Sequence, residues 1–240
     1  MTRFLLALWT IPAVLLGLLL MLGGVLVGSA MALFSPYTVW FHWIRPSLSG
    51  ALLLVLLRRP RVSRDPDWDP DKPCVFVANH VSALDGNLST YVLRRPYCGL
   101  ENAAHFRVPI YGWLMKMGRG IPVPASRGDR YARILKEGRE RIEEGLSILT
   151  FPEGHRTLDG TVKTFRTGPF RLARDLGVPV VPIAVRGLQE VLPKGAFFVR
   201  PGTIEVHVGA PIEAAGTEEE GLEELAEKTR QSIADFVSAG

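Results

Sequence analysis

The hydrophobic pattern changes character near residue 60. From Phe4 to Ile44 the chain carries no Asp, Glu, Lys or Arg, and Phe4 to Leu33 is almost wholly apolar. That run exceeds the roughly 20 residues a helix needs to cross a bilayer core, so it predicts one membrane span. Tyr37, Trp40, Phe41 and Trp43 follow. Tyr and Trp rings settle at headgroup level, which predicts an interfacial segment after the span. A second apolar run, Leu48 to Leu57, is too short to cross alone and is expected to lie on the membrane or pack on the next domain. Arg61 to Lys72, with Asp65-Pro66-Asp67-Trp68-Asp69-Pro70, is Pro- and Asp-rich and reads as a linker.

From Pro73 onward, short apolar runs alternate with helical periods. Cys74 to Ala78, Leu146 to Phe151 and Val178 to Val185 suit buried strands. Asp85 to Leu93, Tyr131 to Glu144 and Pro169 to Leu176 suit helices, the last stopped by Gly177. Thr203 to Gly209 alternates like a strand, and Leu222, Leu225, Ala226, Thr229, Ile233 and Phe236 mark one face of a final amphipathic helix. The order predicts an α/β domain over 73–240, with a mainly parallel central sheet flanked by helices. Ahead of it stand a membrane anchor over 1–60 and the linker over 61–72.

Composition narrows the setting. At 240 residues there is room for one anchor and one catalytic-sized domain. A formal net charge of +4 fits an anionic membrane surface or a phosphate-bearing substrate and does not require nucleic acid. Arg45, Arg58, Arg59, Arg61 and Arg64 follow the apolar region while only Arg3 precedes it, which predicts an inner cell membrane with the domain facing the cytoplasm. A cleavable signal is the alternative, since Ser29-Ala30-Met31-Ala32 offers small residues after the apolar stretch. The apolar run is about twice the length such signals use, which favours retention. Cys74 and Cys98 are too few for a disulfide framework and lack C-x-x-C spacing.

Two blocks carry chemistry. Asn79-His80-Val81-Ser82-Ala83-Leu84-Asp85 follows the first buried strand, at the end of a strand where α/β sheets place their sites. A His and an Asp five apart sit about 140° apart within one helix and do not pair there. His80 is therefore expected in the loop and Asp85 in the first helical turn, reaching back to one ring nitrogen and leaving the other free to take a proton. The arrangement resembles a Ser-His-Asp triad whose hydroxyl comes from the substrate. Ser82-x-x-Asp85 also fits a helix capping box, and the two readings are compatible. The second block, Phe151-Pro152-Glu153-Gly154-His155-Arg156, follows another strand, and a Glu and an Arg there suit glycerol hydroxyls and phosphate. A solvated Pro-Gly turn is the plainer alternative.

Together these blocks resemble those of the glycerolipid acyltransferases typified by 1-acyl-glycerol-3-phosphate acyltransferase. Residues 79–85 are similar to the family's H-x4-D block, 151–156 to its F-P-E-G-T-R block, and Val178-Pro179-Val180-Val181-Pro182-Ile183 to its proline-containing strand. Lys163, Phe165, Arg166 and Gly168 fall where the family has a basic residue, an aromatic and a glycine. His155 stands where the family has Thr, and Gly120-Ile-Pro-Val-Pro-Ala-Ser-Arg127 is longer than its second block.

The resemblance implies transfer of a fatty acyl group from acyl-CoA or acyl carrier protein to a lysophospholipid hydroxyl, lysophosphatidic acid by default, in phospholipid biosynthesis. It implies His80 as base, Asp85 as its positioning carboxylate, no metal or other cofactor, and Arg127, Glu153, Gly154, Arg156, Lys163 and Arg166 around the acceptor. Another lysolipid or glycerol 3-phosphate is an alternative acceptor. A metal-dependent hydrolase using His80, Asp85, Glu153 and His155, or a non-catalytic lipid-binding module, are the rival classes.

Overall fold

In the computed structural model of the chain the described residues are all but 1–2, 32–44, 56–58, 94, 127, 197, 201 and 240, with the side chains of 3–7 and 54–55 also set aside. The predicted interfacial segment with Tyr37, Trp40, Phe41 and Trp43 lies outside them. In chain order the elements are α1 (Arg3–Met31), α2 (Arg45–Val55), β1 (Arg61–Arg64), β2 (Val75–Ala78), α3 (Asp85–Val92) and β3 (Tyr97–Asn102). A 3-10 turn (Ala103–Arg107) leads to α4 (Tyr111–Met117), β4 (Ile121–Val123), α5 (Arg130–Glu143) and β5 (Ser147–Thr150). The chain continues through α6 (Gly168–Leu176), β6 (Val180–Arg186), α7 (Leu188–Val191), β7 (Glu205–Val208) and α8 (Leu222–Ser238).

The seven strands form one sheet in the order β1-β7-β6-β2-β5-β3-β4. From β6 to β4 all pairs are parallel; β7 runs antiparallel to β6, and β1 parallel to β7. Successive side chains of a strand point to opposite faces. Phe76 of β2 accordingly joins a core with Leu53 of α2 and Leu88 and Val92 of α3, while Val75 and Val77 join Ile134 of α5, Phe170 of α6 and Leu222 and Ile233 of α8. Burial on both faces is why these strands read as unbroken apolar runs.

Where the pattern was mixed, the structure adds elements. Arg61–Arg64, expected as the start of a linker, is the edge strand β1, with its backbone extended as far as the Asp65 N–H, which donates to Val208 at 2.8 Å. An edge strand needs few apolar side chains, and Val62 is its sole aliphatic one. β3, with Gly99 and Glu101, and β4, with Pro122, also lack an apolar run; Pro is tolerated in β4 because it is the other edge.

α1 contains a stretch from Leu8 to Met31 long and apolar enough to cross a membrane. It is also part of the fold. Its Thr10 hydroxyl accepts the Val199 N–H at 3.1 Å, Ala13 and Val25 are buried, and it packs along α2 and touches α4. α2 rests on α3. There Arg45 donates to the Thr90 hydroxyl at 3.0 Å and the Tyr97 carbonyl at 3.2 Å, with its guanidinium 4.2 Å from the Tyr97 ring centroid.

The chain leaves β2 toward one face of the sheet, into α3, and leaves the adjacent β5 toward the other, into α6. The two loops part and leave a crevice at the strands' C-terminal ends, where open α/β sheets bind ligands. Asn79 sets the start of the first loop. Fully buried just past β2, it uses its side-chain amide as a strand residue would, accepting the Val185 N–H at 2.8 Å and donating to the Val185 carbonyl at 2.9 Å. Asn79→Ala should lower unfolding free energy by about 3 kcal/mol, because two buried backbone groups lose their partners. Thermal denaturation of the purified chain, compared with wild type, measures the loss.

Candidate active site

Asp85 is the first residue of α3 and is 2 % exposed. Its Oδ2 accepts from Nδ1 of His80 at 2.5 Å, from the Val81 N–H at 2.9 Å and from the Ser82 N–H at 3.0 Å. One carboxylate oxygen therefore closes the loop and orients the ring. The capping box suggested by Ser82-x-x-Asp85 is not formed, because Leu84 holds the N-cap position and no side chain caps the helix. The Ser82 hydroxyl instead donates to the Leu192 carbonyl at 2.8 Å and accepts the Leu84 N–H at 3.3 Å. With Nδ1 donating to Asp85, the proton-accepting lone pair falls on Nε2, which has no partner among the described residues. The ring stacks on Phe151, centroids 4.3 Å apart, and its side chain is 25 % exposed.

Glu153 joins the two loops. It is buried, and its carboxylate accepts the His80 N–H at 2.8 Å and the Lys163 N–H at 3.3 Å. Burial raises its pKa, with the two backbone donors pulling the other way. A further bond, Thr157 N–H to the His80 carbonyl at 2.9 Å, ties the loops again. Gly154 turns the chain with φ near +77°, and a Cβ there would lie 2.8 Å from the Arg166 guanidinium carbon, so a glycine lets that side chain lie over the turn.

The remaining expected residues divide. Arg156 lines the cavity beside His80, and the guanidiniums of Arg156 and Arg166 have no ion pair among the described residues. Lys163 contributes its backbone N–H to Glu153, while its ammonium pairs with Asp159 at 2.8 Å at the surface. Glu153, expected to face glycerol hydroxyls, has both oxygens on backbone donors instead. Arg127 lies outside the described residues. His155 is exposed, and no group of three His, Cys, Asp or Glu side chains converges among the described residues as the hydrolase reading requires. Sequence reasoning passed over Asn79 and Phe151 as site builders. Their position flanking the motif residues at strand ends was the available signal.

His80 and Arg156 open onto a cavity of about 500 Å³. Its walls are Gly17, Leu20 and Met21 of α1, Leu48 and Leu52 of α2, and Tyr111, Leu114 and Met115 of α4. Arg45, Asn87, Glu101 and His105 also reach it, yet apolar surface predominates, which suits a ligand with a charged head and an apolar tail.

Comparison with known proteins agrees with this geometry. The family model for acyltransferases matches residues 59–186. A 1-acyl-sn-glycerol-3-phosphate acyltransferase of Chlamydomonas reinhardtii is 36% identical over 170 residues, covering 69% of this chain and 48% of that one. A protein of the same name from Pseudomonas aeruginosa is 29% identical over 173 residues, covering 70% and 65%. The chain spans about half the length of the first curated relatives it matches. The crystal structure of the 1-acyl-sn-glycerophosphate acyltransferase from Thermotoga maritima superposes with a TM-score of 0.82 over 100% of both chains at 21% identity, which shows a shared fold. With the matched segment filling more than half of the sequence and both motifs inside it, the chain belongs to the acyltransferase family.

Proposed function

We propose that the chain transfers a fatty acyl group from acyl-CoA or acyl carrier protein to the sn-2 hydroxyl of 1-acyl-sn-glycerol-3-phosphate, giving phosphatidic acid at a membrane. The observation that carries this reading is the His80–Asp85 bond at 2.5 Å, with Nε2 left free on a ring that lines an apolar cavity. The curated relatives named for this activity support it.

In the proposed reaction Nε2 of His80 takes the acceptor's hydroxyl proton as its oxygen attacks the thioester carbonyl. The tetrahedral intermediate then collapses, the C–S bond breaks, and the imidazolium returns the proton to the departing thiolate. Asp85 holds the ring in the tautomer that presents Nε2, and its buried Oδ1 has no hydrogen-bond partner among the described residues. Arg156 and Arg166 offer planar donor forks to the phosphate. The apolar walls take acyl chain. Glu153 positions His80 through its backbone N–H and stays clear of the reacting atoms.

Two predictions test the roles. His80→Ala should abolish transfer from labelled acyl-CoA to lysophosphatidic acid in purified membranes, and Asp85→Asn should lower kcat by about 10³-fold by favouring the wrong tautomer. Wild-type turnover in His80→Ala would overturn the assignment. Arg156→Ala and Arg166→Ala should each raise KM for the phosphate-bearing acceptor by about tenfold or more, equivalent to roughly 1.4 kcal/mol. They should leave KM for the acyl donor within a few-fold, and initial-rate kinetics with each substrate varied in turn separates the two.

A further inference from the structure

Among the described residues, large exposed hydrophobic side chains outside α1 occur at three positions, Val108 (46%), Trp113 (57%) and Leu158 (72%). Scattered singly over a surface, three such residues need no account. These three are not scattered. Val108 and Trp113 lie on the segment that leaves the C-terminal end of β3, and Leu158 lies on the loop that leaves the C-terminal end of the adjacent β5. Both segments border the cavity, which Tyr111, Leu114, Met115 and Arg156 line, and α4 touches α1.

The segment is held so that Trp113 points out. Ile110 occupies φ 64°, ψ −58°, a γ-turn in which the Tyr111 N–H donates to the Pro109 carbonyl at 2.7 Å. That conformation is strained for a β-branched residue and persists where surrounding contacts enforce it. The contacts are present. Glu101 accepts from Nδ1 of His105 at 2.5 Å and from the Tyr111 hydroxyl at 3.4 Å, and Gly112 sits so close to Phe106 that a Cβ would meet its carbonyl at 2.3 Å. At the far end the Arg119 carbonyl accepts from Arg141 at 3.0 Å. Exposed Arg107 and Lys116 flank the apolar pair, Lys194 reaches the Arg156 carbonyl at 3.3 Å, and the exposed Asp159 that follows Leu158 is paired with Lys163 at 2.8 Å. Trp with nearby cations is the pattern of a surface that settles among anionic headgroups.

We propose that Val108, Trp113 and Leu158 form a second lipid-docking rim, inserting into an anionic bilayer surface beside α1 and turning the cavity mouth toward the lipid. The inference rests on the reading of α1 as a membrane helix. Labelling tests it cleanly, because Cys74 and Cys98 are buried in the core with thiols pushed up by burial to about 11 and about 12, which keeps them unreactive. Trp113→Cys and Leu158→Cys would carry an environment-sensitive fluorophore in the full chain, reconstituted into phosphatidylcholine vesicles containing phosphatidylglycerol. Lys228→Cys, exposed on α8 across the sheet from α1, is the reference. The expected result is a blue-shifted emission at 113 and 158, quenched by a nitroxide lipid and shielded from aqueous iodide, with the label at 228 in water. Labels at 113 and 158 that stay open to iodide on a chain that floats with the vesicles overturn the rim while leaving α1 as the anchor. A label at 228 quenched by lipid as strongly as the others shows general adsorption and also overturns it. A chain that does not float removes the membrane reading and the rim with it.

Discussion

The carboxylate of Glu153 holds together two loops that the sheet sends in opposite directions. The loop after β2 turns to one face and the loop after β5 to the other, so nothing in the strand ladder alone keeps them in register beyond the last paired residues. A buried acceptor with two oxygens solves this by taking one backbone N–H from each side of the crevice, from His80 and from Lys163. Burial opposes ionisation at this position and the two donors oppose burial. The bond to His80 fixes the backbone from which the imidazole projects, while Asp85 fixes the ring. Backbone and side chain of one histidine are thus set by two acids from different loops.

This division of labour leaves the cations free. Glu153 and the Oδ2 of Asp85 are engaged by N–H donors of the protein, and the Arg156 and Arg166 guanidiniums have no carboxylate among the described residues. An anion approaching either guanidinium need not first break an internal ion pair. Lys163 is different, since its ammonium is already engaged by Asp159 in an exposed pair of the kind that adds little to stability.

Much of this was legible in the order of residues. β2, β5 and β6 announce themselves because a strand buried on both faces must be apolar throughout, and Gly177 marks the end of α6 with its φ of 68°. The His80–Asp85 pair follows from helix geometry, since five residues fail to align within one helix. The inward turn of Glu153 did not follow, because a motif states which groups are near a site and not which lone pairs the backbone has claimed. β1, β3 and β4 were hidden for a different reason. Edge position and mixed composition erase the alternation on which strand reading depends, as with Pro122 in β4.

The first helix carries two unrelated demands. Leu8, Ile11, Leu15 and Leu19 look outward, where any aliphatic side chain of similar size serves, while Thr10, Ala13, Gly17, Leu20 and Met21 meet the protein or the cavity. A Cβ at Gly17 would already stand 3.0 Å from Leu52. Hydropathy alone therefore underdescribes this segment. A generic apolar helix of equal length grafted in its place keeps the hydropathy and loses the wall, so this helix is as much a determinant of what fits inside as any residue of the sheet.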